Sequence, residues 1–216
     1  MTTPLLQLAL DHVTRDGAYE ILDHIEELID IVEIGTPLLM RFGISIVSDL
    51  DARYPRLKVL CDAKIMDAAD LEARLCFDAG ADYVTFLALT DDLTVEACVN
   101  AAEEYGAQVM ADMICVPDLT TRASTLESLG VHVIAVHTGV DQQARGRSPL
   151  DDLAALRGSV AATPLAVAGG INLDNIADYL SYEPSIVIVG GGITSTSHPA
   201  NAARDIRNAI EIGRGA

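Results

Sequence analysis

Eight short apolar runs recur along the chain, at 5–10, 30–34, 57–61, 83–87, 108–111, 132–136, 165–167 and 186–189, and each is followed by a helix-length segment. A strand buried on both faces reads as a continuous apolar run, which is the pattern of a parallel sheet covered by helices. Between the runs, Ala18, Ile21, Leu22 and Ile25 form an apolar stripe at helical spacing, and Leu71, Leu75, Cys76 and Ala79 form another. Gly80, Gly106 and Gly130 stand where helices should close before the next strand. A doubly wound sheet has the same periodicity. Eight units in 216 residues favour an α/β fold of (β/α)8 barrel type, one domain over 1–216, with no Pro/Gly/Ser-rich linker to divide it.

In such a barrel the C-terminal strand ends form the active face. There the sequence places Asp11, Glu33, Asp62 with Lys64, Asp112, His137, Gly169-Gly170 and Gly190-Gly191-Gly192. The densest cluster, Asp62-Ala63-Lys64-Ile65-Met66-Asp67, lies where the third strand should give way to a loop. Strand alternation sends Asp62 and Lys64 to one side. Mutual compensation would keep these groups charged, leaving a carboxylate for a metal and an ammonium for an oxyanion. A strand-end ion pair with Asp67 as helix N-cap is the alternative reading of the same residues. Glu33 and Asp62, on neighbouring strand ends, suit an oxygen-ligated cation such as Mg²⁺, or else Glu33 pairs with Lys64. The glycines after the seventh and eighth runs would let backbone amides approach a phosphate, with helix dipoles assisting. His137 at the mouth suits proton transfer, with Asp141 and Arg145 as weaker candidates from the same loop; His12, His24, His132 and His198 read as structural.

A formal charge of -18 argues against nucleic acid and anionic membrane surfaces as partners, because both attract Lys/Arg patches. It leaves room for a small phosphorylated substrate. The four cysteines, Cys61, Cys76, Cys98 and Cys115, are widely spaced and read as reduced core thiols. No apolar run approaches membrane-spanning length, and Met1-Thr2-Thr3-Pro4 leads straight into the first strand, so a cytoplasmic protein is expected.

With Asp62, Lys64 and Asp67 matching D-x-K-x-x-D, the chain resembles the orotidine 5'-monophosphate decarboxylase suprafamily. Within it the resemblance is closer to the 3-hexulose-6-phosphate synthase family, and it runs over nearly the whole chain. The matching stretches are Leu8-Ala9-Leu10-Asp11, Val32 to Leu38, Asp62 to Asp67, Val136 to Asp141, Val167 to Gly170 and Val189-Gly190-Gly191. The related 3-keto-L-gulonate-6-phosphate decarboxylases tend to carry Glu, Arg and Arg where this chain has Asp112, Val140 and Gly192. The resemblance implies aldol addition of formaldehyde to D-ribulose 5-phosphate. Mg²⁺ on Glu33 and Asp62 would chelate the sugar, His137 would remove the C1 proton, and Lys64 would stabilise the enediolate. Asp11 and Asp112 would hold hydroxyls or orient Lys64 and His137, while Gly169, Gly170, Gly190, Gly191 and Gly192 would line the phosphate site. Asp67 would reach the neighbouring subunit's site, implying a homodimer. A non-catalytic phosphosugar-binding barrel is the reading from a different class.

Overall fold

Every second side chain of the eight strands points into a common interior, and the sheet closes on itself. The fold is a computed structural model describing residues 3–213. Met1 and Thr2, part of the segment read as leading into the first strand, and residues 214–216 lie outside it. The strands are β1 (Leu5–Leu10), β2 (Ile31–Ile34), β3 (Lys58–Ile65), β4 (Tyr83–Leu87), β5 (Gln108–Asp112), β6 (Val133–His137), β7 (Leu165–Ala168) and β8 (Ile186–Val189). They run parallel in sequence order, and β1 pairs with β8, Leu5 opposite Ile186, to complete a closed barrel. All eight expected runs are strands, with ends moved by a few residues.

Helices form the outer layer: α1 (Arg15–Ile25), α2 (Thr36–Phe42), α3 (Ser45–Arg53), α4 (Ala69–Asp78), α5 (Asp92–Tyr105), α6 (Leu119–Ser128), α7 (Val140–Gln143), α8 (Leu150–Arg157), α9 (Ile176–Leu180), α10 (Gly191–Thr194) and α11 (Pro199–Ile212). Side-chain oxygens of Thr14, Asp91 and Asp118 accept the free N–H groups that open α1, α5 and α6. Gly80, Gly106 and Gly130 all have positive φ just after helices, as the sequence predicts. No helix among the described residues is long and apolar enough to cross a membrane.

Two apolar layers hold the barrel. The larger lies between sheet and helices and includes Leu6, Leu8, Leu10, Val32, Val84, Phe86 and Val109. The smaller fills the interior, where Ile31, Leu60, Val133 and Ile186 plug the floor and the methyl-sized Ala9, Ala135 and Ala168 stand nearer the mouth. Each fully buried aliphatic side chain stabilises the fold by roughly 1.5–3 kcal/mol. Wide side chains below and narrow ones above leave a cavity open at the C-terminal strand ends.

Two expectations fail here. Leu71 and Leu75 of α4 are 62% and 52% exposed, and the helix packs instead through Ala69, Ala73, Cys76 and Phe77. The buried face runs through these four residues, which leaves the leucines facing outward. Cys115 is exposed in the loop after β5, whereas Cys61, Cys76 and Cys98 are buried as expected.

Candidate active site

The cavity at the mouth has a volume of about 810 Å³ and is lined from seven of the eight strand ends or the loops after them, with Thr85 of β4 on its wall. Asp11, Glu33, Asp62, Lys64, Asp112, His137, Gly169, Gly170 and Gly190–Gly192 all line it. Asp141 and Arg145 are exposed and do not.

β3 does not end before the acidic cluster; it runs through Ile65. Cys61 is opposite Val84 and Ile65 opposite Phe86, so four steps along β3 face two along β4. The surplus is taken up as a bulge, with Lys64 in the left-handed region at φ 49°. Thr85 stitches the bulge: its hydroxyl accepts the Lys64 N–H at 3.0 Å and donates to Asp62 Oδ1 at 2.8 Å. Asp62 and Lys64 therefore do share the inner face, through a bulge and not through plain alternation. Asp67 is exposed, off the cavity wall, and accepts the Ala68 N–H at 2.7 Å. The N-cap of α4 is Ala68 itself, in a left-handed conformation, so Asp67 is not the cap.

A chain of charges crosses the cavity. Lys64 Nζ donates to both oxygens of Asp62 at 2.8 Å and lies 3.0 Å from Asp112 Oδ2. Asp112 in turn lies 2.9 and 3.0 Å from His137 Nδ1 and accepts the Ile114 N–H at 2.9 Å. Lys64 pairs with Asp62 and Asp112, not with Glu33. Burial disfavours its ammonium, but the two carboxylates outweigh that and raise its pKa. Burial also opposes the Asp112 carboxylate, yet the His137 hydrogen bond and the charges of His137 and Lys64 hold its pKa down to about 2. An anionic Asp112 makes Nδ1 of His137 the donor, so Nε2 is the nitrogen left to accept a proton whenever the ring carries only one.

That depression has a sign. A carboxyl with pKa lowered from 3.8 to about 2 adds stability above its ordinary pKa, and this is lost as pH falls through the folded value. For Asp112 the contribution is roughly 2 kcal/mol. Asp112→Asn is therefore expected to destabilise the protein most near neutrality, with the gap to wild type narrowing between about pH 4 and pH 2. Urea unfolding at several pH values measures it, and a gap that widens on acidification would contradict the assignment.

Glu33 is half-buried on the cavity wall. Burial, then the negative charge of Asp62, pushes its carboxyl up to about 8, and its one hydrogen bond among the described residues comes from Gln7 Nε2 at 2.6 Å. A cation between Glu33 and Asp62 would offset both causes, and hard carboxylate oxygens suit Mg²⁺. No three His, Cys, Asp or Glu side chains converge on one point among the described residues. Asp11 stands beside this pair, its pKa raised by burial and by Asp62.

The two glycine turns pack on each other. A Cβ at Gly192 would collide with the carbonyl of Ile171, and a Cβ at Gly169, where φ is 122°, with that of Thr138. The backbone itself thus forms this wall of the cavity, with no space for a side chain at position 192.

Thr36 stands at the mouth as the sequence places it, after Glu33, whereas Thr85 and Gln7 were not expected in the cavity. Thr36 donates its hydroxyl to Asp62 Oδ2 at 2.8 Å; Thr85 and Gln7 act as described. Gln7 was legible as an amide inside an apolar strand, two positions from Ala9 and four from Asp11 on the same face. His12 lies on the rim beside Asp11. His24 is exposed and bonded to the Glu20 carbonyl at 2.8 Å, and His132 accepts the Val109 N–H at 3.2 Å; neither lines the cavity. His198 is the N-cap residue of α11.

Residues 4–206 match the family model described as "Orotidine 5'-phosphate decarboxylase / HUMPS family". A Staphylococcus haemolyticus protein named 3-hexulose-6-phosphate synthase is 45% identical, over 95% of this chain and 98% of its own. The solved 3-hexulose-6-phosphate synthase from Salmonella typhimurium superposes with a TM-score of 0.95 at 46% identity, covering 97% of this chain and 99% of that one. The structure of 3-keto-L-gulonate-6-phosphate decarboxylase from Vibrio cholerae has a TM-score of 0.86 at 25% identity, with 98% and 99% covered.

Proposed function

The chain belongs to the orotidine 5'-phosphate decarboxylase / HUMPS family, and we propose that it catalyses the 3-hexulose-6-phosphate synthase reaction, joining formaldehyde to D-ribulose 5-phosphate to give D-arabino-hex-3-ulose 6-phosphate. The observation that carries this reading is 45% identity over nearly the full length to a protein of that name, against 25% to the decarboxylase. Asp112, Val140 and the crowded Gly192 support the same choice, each differing from what the decarboxylases tend to carry.

His137 Nε2 takes the proton from C1 of the sugar, and the electrons of the C1–H bond pass into an enediolate whose charge sits on oxygen. Lys64, held between Asp62 and Asp112, donates a hydrogen bond to that oxygen. C1 then forms a bond to the formaldehyde carbon as the ketone reforms. The formaldehyde C=O pair becomes an alkoxide, and the proton held by His137 returns to it. Mg²⁺ on Glu33 and Asp62 would supply positive charge to the sugar's carbonyl and hydroxyl oxygens. The backbone of Gly169, Gly170 and Gly190–Gly192 grips the phosphate, and Asp11 holds a sugar hydroxyl.

The test is formaldehyde consumption with ribulose 5-phosphate, run with Mg²⁺ and with EDTA beside a 3-keto-gulonate 6-phosphate decarboxylation assay. Mg²⁺-dependent consumption supports the proposal, and decarboxylation without it overturns the choice of reaction.

The active unit is a homodimer in which Asp67 enters the partner's cavity. Asp67 lies outside its own chain's cavity, and around it Met66, Leu71, Leu75 and Leu93 are exposed, 74% in the case of Leu93. Asp67→Ala and His137→Ala, each inactive alone, are expected to recover about a quarter of wild-type activity when refolded together, since half the dimers are mixed and one of their two sites is intact. No recovery from a mixture that does form mixed dimers would place Asp67 elsewhere.

A further inference from the structure

Gln7 is fully buried in the middle of β1, on the inner face of the barrel among Ile31, Leu60 and Ile188. A primary amide in an apolar floor is costly unless its polar atoms are bonded, so its presence asks for a partner. Nε2 has one, donating to Glu33 Oε2 at 2.6 Å, while Oε1 has none among the described residues. In this orientation the amide presents its donor to Glu33, the arrangement that an ionised Glu33 holding a cation requires.

The register explains why the reach is needed. Glu33 lies opposite Ala9, whose methyl group offers it nothing to bond, and Gln7 lies one inward position below. The long side chain passes the gap left by Ala9 and fixes one oxygen of Glu33. The other oxygen, Oε1, has no hydrogen-bond partner among the described residues, and Asp62 lines the same cavity. Gln7 Oε1 remains as a buried acceptor at the cavity floor, suited to a hydrogen from an ordered water.

We propose that Gln7 is a positioning residue for the cation site, orienting Glu33 through its amide N–H so that the carboxylate presents a fixed oxygen beside Asp62. The inference rests on the Mg²⁺ reading given above. Partners of this kind, bonded to a ligand and not to the metal, hold the ligand's orientation, and losing one commonly costs 10–100-fold in metal affinity.

Mn²⁺ is the probe, titrated into substrate-free protein and followed by the electron paramagnetic resonance signal of the unbound ion. Gln7→Met keeps volume and removes the donor; it is expected to raise the Mn²⁺ Kd by about 10–100-fold with an unchanged circular dichroism spectrum. Gln7→Asn, one methylene too short to reach Glu33, is expected to lose affinity likewise and decides the matter if the Met variant does not fold. Ile31→Val, a change in the same floor without a polar group, should leave the Kd unaltered. Wild-type affinity in a folded Gln7 variant overturns the positioning role. Absence of Mn²⁺ binding in the wild-type protein, equal to that of Glu33→Gln, overturns the cation reading and this inference with it.

Discussion

Lys64→Met is expected to abolish formaldehyde fixation and to weaken the fold at the same time. Removing a hydrogen-bond donor aimed at a developing oxyanion costs about 10²–10³ in kcat. The second loss comes from what stays behind. Asp62 and Asp112 share one ammonium, at 2.8 and 3.0 Å, and their side chains are only 6% and 5% exposed. Breaking a buried pair by deleting one partner costs roughly 3–5 kcal/mol, because an uncompensated charge remains. Here the Thr36 and Thr85 hydroxyls soften the loss at Asp62, as His137 does at Asp112. Urea unfolding and steady-state rates on one preparation measure both. Lys64→Arg restores charge but not the single-point geometry that serves two carboxylates, so stability should return further than activity. A Met variant retaining wild-type kcat would remove Lys64 from the mechanism.

His137→Ala is expected to lower kcat by about 10²–10⁴-fold, the usual worth of a positioned general base. The more telling readout is exchange of the C1 proton of ribulose 5-phosphate in D₂O without formaldehyde, followed by proton NMR. Wild-type protein should wash the proton out, since enediolate formation needs no second substrate, and the variant should not. Exchange surviving in His137→Ala would assign the base to another group. Asp112→Asn should slow exchange too, because an amide oxygen holds the imidazole tautomer less firmly than a carboxylate does.

Most of this architecture was legible in the chain itself. Parallel strands buried on both faces write themselves as apolar runs, and polar residues at their ends mark the mouth, so Asp11, Glu33, Asp62, Lys64, Asp112 and His137 fell into one cavity. Distances across strands were not legible. Whether Lys64 pairs with Glu33 or with Asp112 depends on the bulge in β3, which rests on the Thr85 hydroxyl of the next strand. The α4 stripe misled for a related reason. Periodicity finds every apolar line on a helix, and α4 has two; the one through Ala69, Ala73, Cys76 and Phe77 is the buried one. Gln7 needed the register of β1 on β2 before its partner could be named.

Asp112 touches both the proposed base and the proposed oxyanion donor, one through Nδ1 and the other through Nζ. Their placements are therefore not independent. A displacement of Asp112 would act on His137 and Lys64 together, while the two contacts to Asp62 tie Lys64 to β3 as well. Where reaction depends on near-ångström alignment of two groups on one substrate carbon and its oxygen, correlated error is less damaging than random error. A single carboxylate in that position acts as a ruler, setting the span between base and donor through contacts of 2.9 and 3.0 Å.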